Sequence, residues 1–474
     1  MTALAENATD LSPDALTGSG PQGGLKTQHL ILMIVAAAAP LGVAIGNLPL
    51  GLLLGNGAGL PAAFLVAALV IVCLASGFMR LAREVRADGG FADLVRAGLG
   101  DPMGLAAAYV TGLSYWAGSL SLAAATGYFS NLVGASLGVN AAWWVYSLLA
   151  YALVFVLGRR AADLSAKVLT ALMCAEIMVV VVLDVAILVH HGLSALPLGV
   201  FSFHHAFSGH LGPAAVVGFT SFIGVESAVL YTREARDAAR SVPRATYAAV
   251  AGIAVLYVMT AWLIIGSLGI GGAVAAAADQ KGDLVLGVAS SEVGSTFLDL
   301  TQLFFVTSLL ACFVALHNAS ARYAQTLASR GALPRRIGAL HPKHLSPATA
   351  SSVLAMAGVL LYLGFALAGA DPYIGIATSL TGLFTLGIVG AQALVSVAVI
   401  AYFARKRTKP SWSTLYAPTP GALGGIGACV AIVANYSVLT GSDSLGARLL
   451  PLVLLAGLVA GFAIQSVRRV RAHA

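Results

Sequence analysis

Two carboxylates lie inside long apolar segments of the sequence, where an ionised side chain is costly. Glu226 falls within GFTSFIGVESAVLY at 218–231, two residues after Gly224, and Glu176 falls within the apolar segment 164–189. Burial in hydrocarbon disfavours the charged form of a carboxyl, so acids at such positions usually have a function. We therefore expect Glu226 either to gain and lose a proton or to cap backbone amides that are freed beside Gly224. We expect Glu176 to be either a second proton-binding group or a protonated, hydrogen-bonded structural residue.

The composition indicates a helical protein that crosses a membrane many times. Of its 474 residues, 59% are hydrophobic and only 9% are charged. Soluble domains carry about 25% charged residues, so a single soluble core does not explain this chain. The four cysteines all lie in apolar runs, and their spacing fits neither a zinc site nor a disulfide framework. The net charge of +7 would indicate a nucleic-acid partner only if the basic residues formed one surface patch.

Twelve apolar segments are long enough to cross a bilayer, which takes roughly 20 residues. They are the ranges 29–55, 60–80, 103–132, 141–158, 164–189, 212–232, 245–269, 296–322, 348–369, 374–403, 421–439 and 448–467. With the N-terminus inside, nearly all Arg and Lys residues fall on the inner side, and only Lys281 and Arg448 fall outside. This pattern follows the positive-inside rule, so the basic charge needs no nucleic-acid partner. Between spans two and three, GGFADLVRAGLG predicts a short helix in the membrane interface.

Spans one and six both contain residues that interrupt a helix. Span one carries Pro40, Gly42 and Gly46, and span six carries Gly218 and Gly224. Proline removes an amide donor and glycine weakens a helix, and backbone groups freed in hydrocarbon are tolerated only inside protein or along a water-filled cavity. The two spans are five apart and run in opposite directions, which is typical of inverted repeats with a solute-binding site at the paired breaks. The alternative is that each break is only a kink.

Four motifs with matching order and spacing resemble those of the amino acid–polyamine–organocation (APC) superfamily, in its bacterial amino acid permease branch. SFIGVESA at 221–228 resembles the sixth-span motif, and EARDAARSVPRA at 234–245 resembles the inner loop that follows it. NASARYAQTLASRGALP at 318–334 resembles the end of the eighth span, and the GG-F pattern at 89–91 agrees as well. The resemblance implies an all-α polytopic membrane protein with twelve transmembrane helices. It also implies a LeuT-like five-plus-five inverted repeat, broken helices 1 and 6, and two peripheral helices.

The expected organisation has a disordered cytoplasmic tail, a transport core of ten helices, a cytoplasmic linker, and two peripheral helices with a short basic tail. In that order these are residues 1–27, 28–405, 406–420 and 421–474, and the two repeats of the core are about 28–191 and 210–405. Several relatives carry a lysine midway along span five, where this chain has Glu176. We expect an acid there to take up a proton or to accept a hydrogen bond from His317 in span eight.

Two broken helices of opposite polarity can bind a zwitterion through the backbone alone, because a half-helix offers amides at its N-terminus and carbonyls at its C-terminus. We expect substrate contacts at the two breaks from Ala39, Pro40, Leu41, Gly42, Val43, Ala44, Phe222, Ile223, Gly224 and Val225. The amides around Gly42, Val43 and Ala44 are expected to bind the carboxylate, and carbonyls at both breaks the ammonium. The candidates for a side-chain pocket or gate, which packing alone also explains, are Tyr115, Trp116, Phe219, Ser308 and Cys312.

These features predict a secondary transporter of amino acids or related amines in the cell membrane, proton-coupled or exchanging, with both termini in the cytoplasm. The alternatives are a carrier of polyamines or other organic amines, and a solute receptor or channel on the same scaffold. The sequence has no phosphate-binding loop, HExxH zinc motif or nucleophile elbow, so we do not expect an enzyme. The expected partners are a small-molecule substrate and the lipid bilayer, with no cofactor and no metal.

The loop between spans five and six is rich in histidine. It contains His190, His191, His204, His205 and His210. Adjacent histidines suit metal binding or pH sensing. No acidic residue or cysteine lies between 190 and 210, which favours a plain interfacial loop. Asp184, near the outer end of span five, is expected to be solvated.

Overall fold

The computed structural model describes residues 27–85, 90–159, 166–228, 237–341, 346–441 and 448–473. Within these ranges the chain forms helices joined by turns and short loops, and no β-strand occurs. The expected N-terminal tail lies, up to residue 26, outside the described residues. The same holds for several basic residues of the predicted inner loops, which are Arg86, Arg160, Arg233, Arg236 and Lys343.

The helices follow the apolar segments of the sequence. The first half of the chain contains α1 (Thr27–Ala37), α2 (Pro40–Gly42), α3 (Leu48–Leu54), α4 (Leu60–Glu84), α5 (Phe91–Leu99), α6 (Asp101–Ser136), α7 (Trp143–Arg159) and α8 (Ala166–His191). A π-helix, Val43–Asn47, joins α2 to α3. The second half contains α9 (Phe203–Ala206), α10 (Leu211–Thr220), α11 (Ala238–Leu268), α12 (Ala273–Gln280), α13 (Leu284–Glu292), α14 (Ser295–Ser329), α15 (Ala348–Leu367), α16 (Thr378–Arg405), α17 (Pro418–Ala434), α18 (Tyr436–Thr440) and α19 (Leu452–His473).

In the described ranges, nine helical segments are long and apolar enough to cross a membrane. They are Thr27–Leu54, Gly57–Glu84, Ala171–Ala195, Leu211–Ala228, Arg240–Leu268, Ser295–Ser329, Ala348–Leu367, Pro372–Arg405 and Trp412–Ala434. Helices α7 and α19 contain shorter apolar stretches, Trp143–Leu157 and Leu452–Arg468. The remaining predicted span, 103–132, lies within α6. The chain is therefore a multi-pass membrane protein, and the count of twelve spans stays a prediction.

Helix α6 lies at the centre of the bundle, because α5, α7, α14, α16 and α19 all pack against it. It has 36 residues and is rich in small ones, so the neighbouring helices approach its backbone closely. A Cβ on Gly118 would lie 2.9 Å from the ring of Phe384. A Cβ on Gly127 would lie 2.0 Å from the hydroxyl of Ser147. Close packing of this kind replaces the hydrophobic effect as the force that holds helices together in lipid.

The short amphipathic helix expected between spans two and three is α5. Its Phe91, Leu94 and Val95 are buried, as the sequence pattern predicts, and the helix packs against α6 and α16. Gly98 lies directly on α16, where a Cβ would be 2.1 Å from the carbonyl oxygen of Ala398. The helix is therefore wedged between two spans.

Ion pairs connect several loops at one end of the bundle. Asp93 of α5 pairs with Arg330 after α14 at 3.1 Å, and Glu84 of α4 pairs with Lys406 after α16 at 2.9 Å. Arg468 of α19 donates to the carbonyl of Arg330 at 2.8 Å. We call this end of the bundle the basic face, defined by these five residues, and the other end the opposite face. The basic face is the one that the positive-inside pattern predicts to be cytoplasmic.

We expect Gly98→Ala to destabilise the protein, because a Cβ has no room beside the Ala398 carbonyl. Overpacking of this kind costs about 1–3 kcal/mol, which would appear as a lower unfolding midpoint in detergent. Gly252→Ala in α11 is the matched control, since no neighbouring atom lies within 4 Å of its Cβ position. Equal midpoints for the two variants would contradict the packing of α5.

Candidate functional site

The first span is interrupted immediately before Pro40. Helix α1 ends at Ala37, and Ala39 has a left-handed backbone with φ 45° and ψ 69°, which is unfavourable for a residue with a side chain. Pro40 then begins α2, a position that suits its fixed φ and its missing N–H. The break thus falls just before the stretch 40–46, which holds the interrupting residues Pro40, Gly42 and Gly46 and which we expected to be unwound. That stretch is helical instead, with π-helical geometry over 43–47.

The sixth span is interrupted at Gly224. Helix α10 ends at Thr220, turns occupy 221–224, and a 3₁₀ turn occupies 225–228. Gly224 has φ 112°, which residues with a side chain rarely adopt. A Cβ at this position would also lie 2.5 Å from the carbonyl oxygen of Ala37. Glycine is therefore required both for its backbone angle and for the contact, and the two interrupted spans meet backbone to backbone.

The carboxylate of Glu226 lies directly on the sixth-span break. Its Oε2 accepts a hydrogen bond from the Gly224 amide at 2.9 Å. Its Oε1 accepts from the Tyr115 hydroxyl of α6 at 3.4 Å, near the long limit for such a bond. The Tyr115 ring stacks on Tyr323 of α14, with ring centroids 5.6 Å apart. This geometry is that of a cap for a freed amide, and it also connects the break to two neighbouring helices.

Glu176 reaches the first-span break from α8. Its side chain is buried, with 4% of the residue exposed. The Ser308 hydroxyl and the backbone amide of Leu41, in the first turn of α2, lie beside its carboxyl. The carboxyl therefore joins α8 and α14 to the break. His317, which we expected as a partner, bonds instead to the Ser351 hydroxyl at 2.9 Å, because its ring faces α15.

Two tyrosines that the sequence did not single out also bond to the first span. Tyr257 of α11 donates to the carbonyl of Ala38, between α1 and α2, at 3.0 Å. Tyr373 donates to the carbonyl of Gly46 within the π-helix at 2.8 Å. The ring of Phe222 packs edge-on against Tyr257, with centroids 5.9 Å apart. A tyrosine in an apolar segment carries no sequence signal for such a role, because most of them simply pack.

The structure places the side-chain candidates in different surroundings. Three of them lie beside the two acids, and these are Tyr115, Ser308 and Cys312. Phe219 is buried near the end of α10, just before the break. Trp116 is partly buried and packs against the hydrophobic core. The first three are thus close enough to respond to changes at the breaks.

A small pocket, with a cavity volume of about 20 Å³, borders Glu226. Its walls come from α4, α5, α11 and α16 and are mainly apolar, but Gln392 of α16 also lines it. The Oε1 of Gln392 is buried and has no hydrogen-bond partner. On the first-span side, Leu41 and Val43 are 1% and 5% exposed. In this conformation the first break is therefore closed, whereas the buried carboxylate at the sixth-span break borders a small pocket.

Asp184 is not solvated as we expected. Its Oδ2 accepts a hydrogen bond from the Thr260 hydroxyl of α11 at 2.8 Å, and its Oδ1 is buried without a partner. The sequence placed this residue near the outer end of its span but could not show that its side chain turns toward α11.

Comparisons with known proteins agree with this architecture. A family model described as amino acid permease matches residues 25–459. A substituted form of the manganese transporter of Eremococcus coleocola aligns with a TM-score of 0.56 at 15% identity, covering 98% of this chain and 100% of that chain. The same transporter bound to an aromatic bis-isothiourea compound gives a TM-score of 0.55 at 14% identity, covering 97% and 98%. At such identities the likeness concerns the fold alone. No curated protein sequence matches the chain.

We expect Tyr257→Phe to lower the unfolding midpoint, because it leaves the buried Ala38 carbonyl without its hydroxyl partner. The loss of a buried hydrogen bond of this kind costs about 1–3 kcal/mol. Tyr247→Phe, in the same helix and partly buried, is the matched control. If both variants unfold at the same temperature in detergent, the hydroxyl of Tyr257 does not stabilise the break.

Proposed function

The chain belongs to the amino acid permease family, and on this premise we propose that it is a secondary active transporter of amino acids or related amines in the cell membrane. It is an APC-type membrane transporter rather than an enzyme. The observation that carries the proposal is the backbone contact between Gly224 and Ala37, because it brings two interrupted spans together. Interrupted helices supply the solute-binding groups in many secondary transporters.

The substrate's carboxylate binds at the start of α2 in this proposal, where backbone amides and the positive end of the helix dipole point outward. In the closed conformation the Val43 amide donates to the Ala39 carbonyl at 3.2 Å, a long bond that a bound carboxylate can replace. The substrate's ammonium binds carbonyls of both breaks. The Phe222 carbonyl accepts from the Val225 amide at 3.3 Å and keeps a second lone pair for an ammonium.

Glu226 is our candidate for proton coupling. While ionised, it accepts hydrogen bonds from the Gly224 amide and the Tyr115 hydroxyl. Protonation removes the charge that strengthens both bonds, so a proton on Glu226 loosens the break. Substrate binding at the break must then alter proton affinity in turn, because coupling between two sites is reciprocal. Glu176 lies beside the Leu41 amide, and we assign it as a relay or a structural partner.

The choice of an organic substrate needs an argument, because the solved relatives are described as a manganese transporter. Manganese binding requires several oxygen or nitrogen ligands around one point. In the part of the chain that the structure describes, no group of three or more His, Cys, Asp or Glu residues could hold a metal ion. Organic amines without a carboxylate are the alternative substrate class, since the carbonyls and Glu226 can bind an ammonium without the amides of α2.

Counterflow in proteoliposomes tests the proposal. A thermal-shift screen of amino acids and amines first identifies solutes that bind, because a ligand stabilises the state it binds. Liposomes loaded with an unlabelled solute from this screen are then expected to accumulate the labelled solute transiently. Only alternating access produces this exchange. Stabilising solutes that show no counterflow would favour a receptor or channel on the same scaffold.

We expect Gly224→Leu to abolish counterflow while the protein still inserts and elutes as a single species. Leucine at φ 112° is strained, and its Cβ would lie 2.5 Å from the Ala37 carbonyl oxygen, so the two spans must separate. Gly364→Leu in α15 is the matched control, because no neighbouring atom lies within 4 Å of its Cβ position. Normal counterflow by well-expressed Gly224→Leu protein would show that the break is not the transport site.

We expect Glu226→Gln to lose accumulation driven by a pH gradient and to retain exchange at equal pH. Glutamine keeps the shape and the acceptor oxygen but does not titrate. Glu176→Gln is expected mainly to lower the transport rate or the stability. The measurement is uptake into liposomes with an imposed pH gradient, beside exchange without one. Accumulation that survives in Glu226→Gln and fails in Glu176→Gln would reverse the assignment, and full activity in both would exclude coupling through either acid.

A further inference from the structure

Two adjacent histidines at the end of α8 bind one carboxylate from a distant helix. His190 Nδ1 lies 2.8 Å from Oε2 of Glu292, and His191 Nε2 lies 2.9 Å from Oε1. An ionised carboxylate only accepts hydrogen bonds, so both ring nitrogens donate, which fixes the tautomer of each ring. Glu292 is 102 residues from His190 in the sequence. An acid therefore does join the histidine-rich loop, and inspection of 190–210 alone missed it.

Glu292 ends a segment that covers part of the opposite face. This lid segment consists of α12, the 3₁₀ turn Lys281–Asp283 and α13, and it connects α11 to α14. It packs against α3, the second half of the first span. Within it, Gly282 lies on α6, where a Cβ would be 2.6 Å from the ring of Tyr128. The histidine contacts tie the C-terminal end of this segment to α8.

We propose that His190, His191 and Glu292 form a clamp that acid tightens, and that this clamp holds the lid segment closed over the opposite face. A neutral imidazole donates one ordinary hydrogen bond to the carboxylate. A protonated imidazole donates a charge-assisted bond at the same position, which is shorter and stronger. The proposal rests on the proposed function in one respect only, which is that the opposite face is the outer entrance for solute.

The carboxyl of Glu292 stays ionised in mildly acidic solution. Burial opposes its ionisation, but the hydrogen bonds from His191 and His190 outweigh burial and hold the pKa of the Glu292 carboxyl below its ordinary value. A carboxyl whose pKa is lowered on folding contributes stability above its unfolded pKa of about 4.3, and this is lost as the pH falls through the lowered value. Above that value the carboxylate is charged and can accept both histidine hydrogen bonds.

No other charged group that the structure describes near this end of the bundle acts on Glu292 as the two histidines do. The titratable or charged groups on the elements packed against the clamp are Asp184 on α8, Asp279 on α12, Lys281 and Asp283 on the turn, and Asp299 on α14. Asp184 is held by Thr260, and the electrostatic partners that act on Glu292 are His191 and His190. Among the described residues, no group of three or more His, Cys, Asp or Glu residues could hold a metal ion, and these three side chains are no exception. Their contacts are those of imidazole donors on a carboxylate acceptor.

Hydrogen exchange of the lid segment tests the clamp without any transport measurement. The purified full-length protein, free of substrate, is exchanged at pH 5.5 and 7.5, and the rates are corrected for intrinsic exchange. The imidazoles are 54% and 36% exposed, so the gain is modest. We expect protection of 284–292 to be about three- to fivefold higher at pH 5.5. The double variant His190→Gln and His191→Gln keeps two donors that cannot titrate, and it is expected to lose this pH dependence, as is Glu292→Gln.

The matched control is the double variant His204→Gln and His205→Gln. These two histidines belong to the same loop and pack edge-on against each other, with ring centroids 5.1 Å apart. Their removal is expected to leave the pH dependence of the lid intact. Persistence of the pH dependence after His190 and His191 are replaced, or its loss in this control, would overturn the clamp. Counterflow does not enter this experiment, so the failure of either proposal leaves the other standing.

Discussion

The structure depends on one constraint, which is that backbone polar groups freed inside a membrane must find partners within the protein. Interruption of the first span frees the Ala38 carbonyl and the Leu41 amide, and interruption of the sixth span frees the Gly224 amide. Tyr257 donates to the Ala38 carbonyl, Glu226 accepts from the Gly224 amide, and the Glu176 carboxyl lies beside the Leu41 amide. A buried amide or carbonyl without a partner costs about 2–7 kcal/mol. The positions of α8 and α11 around the breaks follow from this requirement as much as from apolar packing.

The chemistry of these partners divides the contacts into two kinds. The hydroxyls of Tyr257 and Tyr373 donate to carbonyls, and a phenol of this type stays protonated at any physiological pH. A carboxyl accepts from an amide strongly when it is ionised and weakly when it is protonated. The carbonyl contacts of the first span therefore do not depend on a group that titrates, whereas the Gly224 amide is bonded to a carboxyl and the Leu41 amide lies beside one. Proton binding can therefore affect backbone conformation only where a carboxyl lies against a backbone amide.

The membrane-crossing helices and the Gly224 break could be predicted from the sequence, because both follow from residue type at close range. Long apolar runs specify the helices, and an isolated glycine beside an acid marks a backbone angle that other residues avoid. The first break could not be placed, since its left-handed residue is Ala39, which nothing in its type distinguishes. Pro40 begins a helix here instead of lying inside the break. Tyr257 and Glu292 were missed because their partners are more than 100 residues away. Such pairs depend on how helices cross, which hydrophobic periodicity does not specify.

Glu176 and Glu226 lie in different surroundings. Under the proposed function, this difference decides from which side a proton reaches Glu226. Glu176 is enclosed, with its carboxyl beside α14 and the first break. Glu226 borders a cavity that is also lined by Met79 and Phe91, which lie close along the chain to the ion pairs of the basic face. Under the proposed function, a proton would reach Glu226 from that side while the first break stays closed. A carrier must avoid access from both sides at once, and a cavity that reaches the acid without reaching the first break meets this condition.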